Sequence, residues 1–201
     1  MIDEALKFLT LEVNKYLNMR SMPVSGTTDE IQLSSVTHAA TEGSEVTIAN
    51  GKLALSLINI EEERVVKEQR TAYRNENNDI EHYNPEIRIN LYVLISARFD
   101  NISGASSYEE GLKQLSYVMT FFQGKHVFVP ENSPDMPSEL QKLIVELYST
   151  SFEQQYNYWT VIGTKYLPSA LYRVRLVTFQ DKRILDQAAP ITTSSINLTG
   201  N

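Results

Sequence analysis

Between Pro85 and Asp100 apolar side chains recur at every second position: Ile87, Ile89, Leu91, Val93 and Ile95, with Arg88, Asn90 and Tyr92 between them. A period of two marks a strand with one buried face, because successive side chains leave a pleated backbone on opposite sides. β-Branched residues dominate the apolar set, and Pro85 suits the first position of a strand, where a missing N–H is tolerated. Each such side chain contributes roughly 1.5–3 kcal/mol when buried. A slip of one residue would expose the whole set and cost on the order of 10 kcal/mol, comparable with the stability of a domain. The register is therefore fixed, and this strand is expected at the centre of the core. Leu94-Ile95-Ser96-Ala97 is apolar on both faces, so that end should be covered from both sides.

The pattern elsewhere supplies the covering elements. Ala5, Leu6, Leu9, Val13, Tyr16 and Leu17 recur at helical spacing behind Asp3, a residue suited to cap a helix, and Pro23 and Gly26 place its end near Asn18–Arg20. Residues 29–50 read as a loop with short strands at either end, Ile31–Leu33 and Val46–Ile48. Gly51 opens a strand in which Leu53, Leu55 and Leu57 alternate while Ile58 and Ile60 shift phase, which predicts a bulge near Asn59. The charged, polar stretch 61–84 reads as an extended arm or a long hairpin tip. Tyr108, Leu112, Leu115, Val118, Met119 and Phe122 predict a helix near 107–123 with these residues as its buried stripe, stopped at Gly124.

After a short extended piece at His126–Val129, Pro130, Pro134 and Pro137 break the backbone into a loop. Leu140–Tyr148 fits either a helix or a strand, and the alternation of Leu143, Val145 and Leu147 favours strand. Ser149–Ser151 followed by Glu153 and Gln154 is a capping box, opening a helix near 151–162 that Gly163 ends. On it, Phe152, Tyr156, Trp159 and Ile162 are expected to face the core. Leu171–Gln180 is the last strong strand, with Tyr172 and Val174 on one face and Arg173 and Arg175 on the other. Beyond Asp181 the chain loses periodicity and becomes rich in Ser, Thr and Asn, with Ile184 and Leu185 among isolated apolar residues; such a tail frays or docks on a partner. The expected architecture is a single α+β domain over 1–180, with a mixed, mostly antiparallel sheet of about four to six strands and three helices packed on it, followed by a C-terminal extension, 181–201.

Composition narrows the function classes. A chain of 201 residues can bury one sizeable core, and no composition shift or linker divides it. The absence of cysteine removes disulfides, thiol catalysis and thiolate metal sites together. A net charge of −7 with scattered basic residues argues against nucleic acid, whose binders cluster Lys and Arg to neutralise phosphates. No apolar run reaches the ~20 residues of a membrane span. The acidic N-terminus, MIDEALKFLTLEV, lacks the basic start and small-residue cleavage site of a secretory signal, so the chain is expected in the cytoplasm.

Candidate chemistry is sparse. His38, His82 and His126 share no metal-ligand spacing, and no phosphate-binding, nucleophile-elbow or dinucleotide motif occurs. Glu61-Glu62-Glu63 invites a metal or acid–base reading, but consecutive strand residues point to alternate faces and do not converge, so a solvated or interface face is the stronger reading. Trp159 with Tyr156, Tyr158 and Tyr166 can be read as an aromatic platform, although helical spacing favours core. Arg173 and Arg175 share a strand face and can pair with acids on a neighbouring strand or subunit. No catalytic residue, cofactor or metal site is expected.

The ordered blocks carry one further signal. An N-terminal amphipathic helix is followed by LALSLINIEEERVVKEQR (53–70), PEIRINLYVLISARF (85–99) with its helix, and YNYWTVIGTKYLPSALYRVRLV (156–177). In that order they resemble the tail-terminator, or cap, proteins of phage-tail-like contractile injection systems. Pro85, Ile89, Leu91, Val93, Leu94, Ala97 and Phe99 follow that family's central segment, and Trp159, Gly163, Tyr166, Pro168, Ser169, Tyr172 and Arg175 its late block. The resemblance covers roughly residues 1–180; residues 29–50 and the tail after Asp181 fall outside it.

The resemblance implies a structural protein without a reaction. Stacked rings of tube and sheath form an open assembly that stops only when a subunit occupies the growing face without regenerating it. A terminator of this kind forms a ring, hexameric in the family, on the distal end of the inner tube and sheath, in a bacterial particle that is assembled in the cytoplasm and can be released from the cell. Glu62, Arg64, Arg70 and Arg74 on the arm, Arg173 and Arg175 on the late strand, and Ile184 and Leu185 on the tail are the expected contact residues. Two alternatives come from other classes: a monomeric binding module or assembly chaperone for tube and sheath subunits, and a metal-dependent hydrolase using Glu61–Glu63.

Overall fold

A computed structural model describes residues 1–21, 30–36, 52–64, 72–75, 79–98, 107–179 and 186–188. In chain order the elements are α1 (Ile2–Ser21), β1 (Ile31–Leu33), β2 (Lys52–Glu62), β3 (Ala72–Arg74), β4 (Ile80–His82), β5 (Ile87–Arg98), α2 (Ser107–Gly124), β6 (Val127–Phe128), β7 (Leu143–Leu147), α3 (Phe152–Ile162), β8 (Ser169–Phe179) and β9 (Asp186–Ala188). Six strands form one sheet in the order β1-β2-β5-β8-β7-β6, antiparallel throughout except for the parallel β1–β2 pair. The alternating stretch is thus a central strand, and the fold is the expected α+β domain.

The sheet is covered on both faces. On one face α1 and α2 bury Leu53, Leu55, Leu91, Val93, Ile95, Leu143, Val145, Tyr172 and Val174 under Leu6, Leu9, Val13, Leu17, Val118 and Phe122. Phe128 is fully buried among Phe8, Phe121 and Phe122, with ring centroids 5.7–6.4 Å away. On the other face α3 covers a smaller cluster of Val36, Leu94, Trp159 and Leu171, flanked by Tyr92, Tyr148, Tyr158 and Ile162. Leu94 and Ile95 are both buried, in opposite clusters, as the doubly apolar end of the central strand requires.

Local sequence chemistry sets several boundaries. The phase change in β2 is a bulge between Leu57 and Asn59. A second irregularity, where Ile89 pairs with Val177 but Leu91 with Val174, sets two β8 residues against Asn90. The Ser151–Gln154 capping box is formed, and Gly163 ends α3 at φ 75°, a conformation glycine adopts without a Cβ clash. The sheet edge at β1 is shielded by Asn14 of α1, whose Nδ2 donates to the Ile31 carbonyl at 2.8 Å and whose Oδ1 accepts from the Ile31 N–H at 3.0 Å.

Several expectations need correction. The α1 helix begins at Ile2, so Asp3 lies in its first turn instead of capping it, and it pairs with Lys7 one turn on. In α2 the buried stripe is Gln114, Leu115, Val118, Phe121 and Phe122, whereas Tyr108, Leu112 and Met119 are exposed. The row containing those three lies on the flank of the helix, where Met119 faces an open cleft beside β7. The expected strand Val46–Ile48 lies outside the described residues. The arm carries a separate three-stranded sheet, β3-β4-β9, whose third strand comes from the expected tail.

Candidate assembly surface

Strand alternation turns one set of polar side chains to the α3 side of the sheet, next to the end that α3 covers. Glu146 of β7, Arg173 and Arg175 of β8, Asn90 and Tyr92 of β5, Glu61 of β2 and Glu63 just beyond it form a strip across four strands. Arg173 donates to Glu146 at 2.7 Å, and Arg175 lies 3.5 Å from both Glu146 and Glu63. Asn90 Nδ2 donates to Glu63 at 3.1 Å, and the Tyr92 hydroxyl donates to Glu61 at 2.6 Å. The irregularity opposite Asn90 places Arg175 between the two acids.

Electrostatics follow from that geometry. The Arg173 hydrogen bond holds the Glu146 carboxyl below the usual carboxylate range, and the same bond raises Arg173. The Tyr92 phenol is raised, first by its bond to Glu61 and then by burial. Glu146 is thereby held as a carboxylate by Arg173, while Glu61 and Glu63 accept hydrogen bonds from the Tyr92 phenol and the Asn90 amide.

The sequence-derived site residues separate into three groups. Arg173 and Arg175 share a face, as expected, and both pair with acids on neighbouring strands of their own chain. Glu62, Arg64 and Arg74 are exposed on the arm side, with Arg64 4.0 Å from Glu62. Arg70, Ile184 and Leu185 lie outside the described residues. Glu63 departs from the expected solvated face: it is buried against Asn90 and Arg175. Glu61 and Glu63 turn to the strip while Glu62 pairs with Arg64, so the three carboxylates do not converge. Among the described residues no group of three or more His, Asp or Glu side chains could hold a metal ion, and no helix is long and apolar enough to cross a membrane.

The aromatic row on α3 is a second correction. Trp159 is 6% exposed, with Tyr166 packed edge-on at 5.6 Å, but Phe152 is 92% and Tyr156 71% exposed. Only one end of the row expected in the core reaches it. Composition carried a signal for this surface: α3 has one charged residue, Glu153, and four aromatics. Interface cores are likewise poor in charge and rich in Tyr, Trp and Phe.

The chain belongs to the Pvc16 N-terminal domain family, which it matches over residues 4–193. Its fold is similar to that of the sheath/tube terminator of an extracellular contractile injection system, PVC, in the extended state (13% identity, TM-score 0.57, covering 95% of this chain and 63% of that one). It is also similar to the tube-terminating cap of the anti-feeding prophage (12% identity, TM-score 0.56, covering 94% and 61%). The chain therefore spans somewhat under two thirds of the length of these structures. A search of curated proteins found no match.

Proposed function

We propose that this protein caps the inner tube and sheath of a contractile injection system as a ring, ending growth and fixing length. The observation that carries the reading is the family match over residues 4–193, together with a fold shared with two terminators over nearly the whole chain. A cap needs binding surfaces and no reaction, in keeping with acids neutralised by arginine and with exposed aromatics. Because subunits of a ring meet head to tail, each must carry two different complementary surfaces. Glu62, Arg64 and Arg74 on the arm are proposed sheath or subunit contacts, with Arg70 in the same stretch of sequence and Ile184 and Leu185 in the C-terminal tail. Arg173 and Arg175, already paired within the chain, contribute through the rim of their strip.

The test is the native mass of the purified protein by light scattering, with negative-stain images of the same fraction and of tubes assembled in its presence. Six-membered rings seated on tube ends are expected. Protein that stays monomeric and binds free tube subunits, leaving ends bare, would replace the cap by an assembly chaperone. Deletion of residues 183–201 tests the tail: ring formation and tube binding unchanged by it would remove the tail from the contact set.

A further inference from the structure

The two faces of the sheet differ in a way that supplies the two surfaces a ring requires, and this inference rests on the ring reading above. On the α3 side, Phe152 and Tyr156 project from the first two turns of an almost uncharged helix, in line with buried Trp159 two turns from Phe152. On the opposite side, between α2 and the outer edge of β7, lies an apolar cleft of about 570 Å³. Met119, Phe122, His126, Val145, Leu147 and Tyr172 line it, and Met119 and Leu147 are 42% and 53% exposed. The short strand β6 pairs only with Leu143 and Ile144, so β7 runs on past it into the cleft. The cleft at the other sheet edge, between α1 and β1, is smaller, about 450 Å³, and more polar, with Lys7, Thr10, Asn14 and Gln32 beside Leu11 and Leu33.

We propose that the Phe152–Tyr156 face of one copy seats in the α2–β7 cleft of the next copy, head to tail. The ring reading makes a second copy of this chain the occupant, and charge restricts which surfaces two copies can share. Each copy carries −7, so copies repel one another and can associate only through surfaces that carry little charge. The helix face has Glu153 alone, and the charge nearest the cleft, Glu146, is held by Arg173 on the other side of the sheet. Area agrees: two aromatic side chains bury roughly 150–250 Å² each. Together they supply about half of the ~800 Å² that one partner gives to a standard interface. Because projection and cleft lie on opposite faces of one sheet, a two-fold pair cannot satisfy both, whereas a closed ring can.

The absence of cysteine makes the contact directly testable. Copies carrying Leu147→Cys are mixed with copies carrying Tyr156→Cys and oxidised, with each variant alone as control. The expected product is a covalent dimer in the mixture that neither variant gives alone, and a ladder ending at ring size when both substitutions share a chain. A dimer of Tyr156→Cys with itself would overturn the proposal in favour of a two-fold contact. Cross-linking to tube subunits in place of a second copy would make the cleft or the helix a tube-binding site. Rings of the unsubstituted protein without cross-linking in the mixture would sink this contact and leave the ring reading standing; absence of both would sink the two together. In solution, Phe152→Ser with Tyr156→Ser should weaken self-association by at least about tenfold, as loss of a central aromatic anchor does.

Discussion

The face of the sheet under α1 and α2 and the face under α3 solve different problems with the same strands. The first is a continuous apolar layer in which the large side chains meet, Phe128 at its centre among three other rings. The second has a small apolar cluster, then a strip of acids and arginines, then aromatics that point to solvent. Burial of apolar area holds the domain together on one side. On the other, geometry is held by ion pairs that contribute little net energy but fix where groups sit. The contrast teaches that stability and contact are divided between faces, and it can be broken by substitutions that weigh one against the other.

The largest effect is expected on the α1–α2 face. Phe128→Ala should lower the free energy of unfolding by about 3–5 kcal/mol, through lost transfer energy and the cavity left behind. The urea midpoint should fall with the slope unchanged. A loss smaller than that caused by any change in the charged strip would reverse the assignment of roles.

On the strip, Arg175→Met removes the guanidinium shared by Glu146 and Glu63 and should cost about 1–3 kcal/mol. Arg175→Lys should fall between the two, since an ammonium keeps the charge without the planar fork that reaches both acids. Equal stability of the Met variant and the parent would mean that the strip contributes no net energy to the fold.

Acid titration separates the faces by a smaller margin. Burial of Glu12 on α1 opposes its ionisation, but hydrogen bonds from Lys125 and Lys15 overcome it and leave its pKa lowered. Glu146 is lowered by Arg173. A lowered folded value means that each contribution is complete above the unfolded carboxylate pKa, near ~4.3, and is lost as pH falls through the folded value. The urea midpoint should therefore be flat from about pH 7 to pH 5 and decline below roughly pH 4. Glu12→Gln and Glu146→Gln should each remove part of that decline. High salt should shrink the Glu146 share first, because its pair is about one third exposed and screened by ions.

What could be read from the chain beforehand follows the same division. The period of two in 87–95, the phase change at Asn59 and the Ser151–Gln154 box are local signals, and each appears where local chemistry put it. The outer rows of α2 and α3 differ from the expectation because helical spacing says which residues share a face, not how far a neighbour extends over it. Met119 faces an open cleft beside β7, and Phe152 projects into solvent. The strip was half legible: Arg173 and Arg175 stood out at period two. Their partners Glu146 and Glu63 come from strands 27 and 112 residues away, a proximity that only the tertiary fold creates. Three-residue strands such as β3, β4 and β9 are too short to show a period at all.

The smallest expected effect on stability is the sharpest test of the contrast. Trp159, Tyr156 and Phe152 lie along one row of α3, yet their exposures run from 6% to 71% and 92%. Trp159→Ala should cost about 3 kcal/mol or more, as large buried aromatics do. Phe152→Ser and Tyr156→Ser, made together, should change stability by no more than about 1 kcal/mol, about 0.5 for each surface position. In the same variant, self-association should be lost. If it unfolded as easily as the Trp159 variant, the row would be core that the sheet covers in solution. If it kept both stability and assembly, these aromatics would have no part in the ring. Stability retained with assembly lost is the outcome that assigns them to contact and Trp159 to the fold.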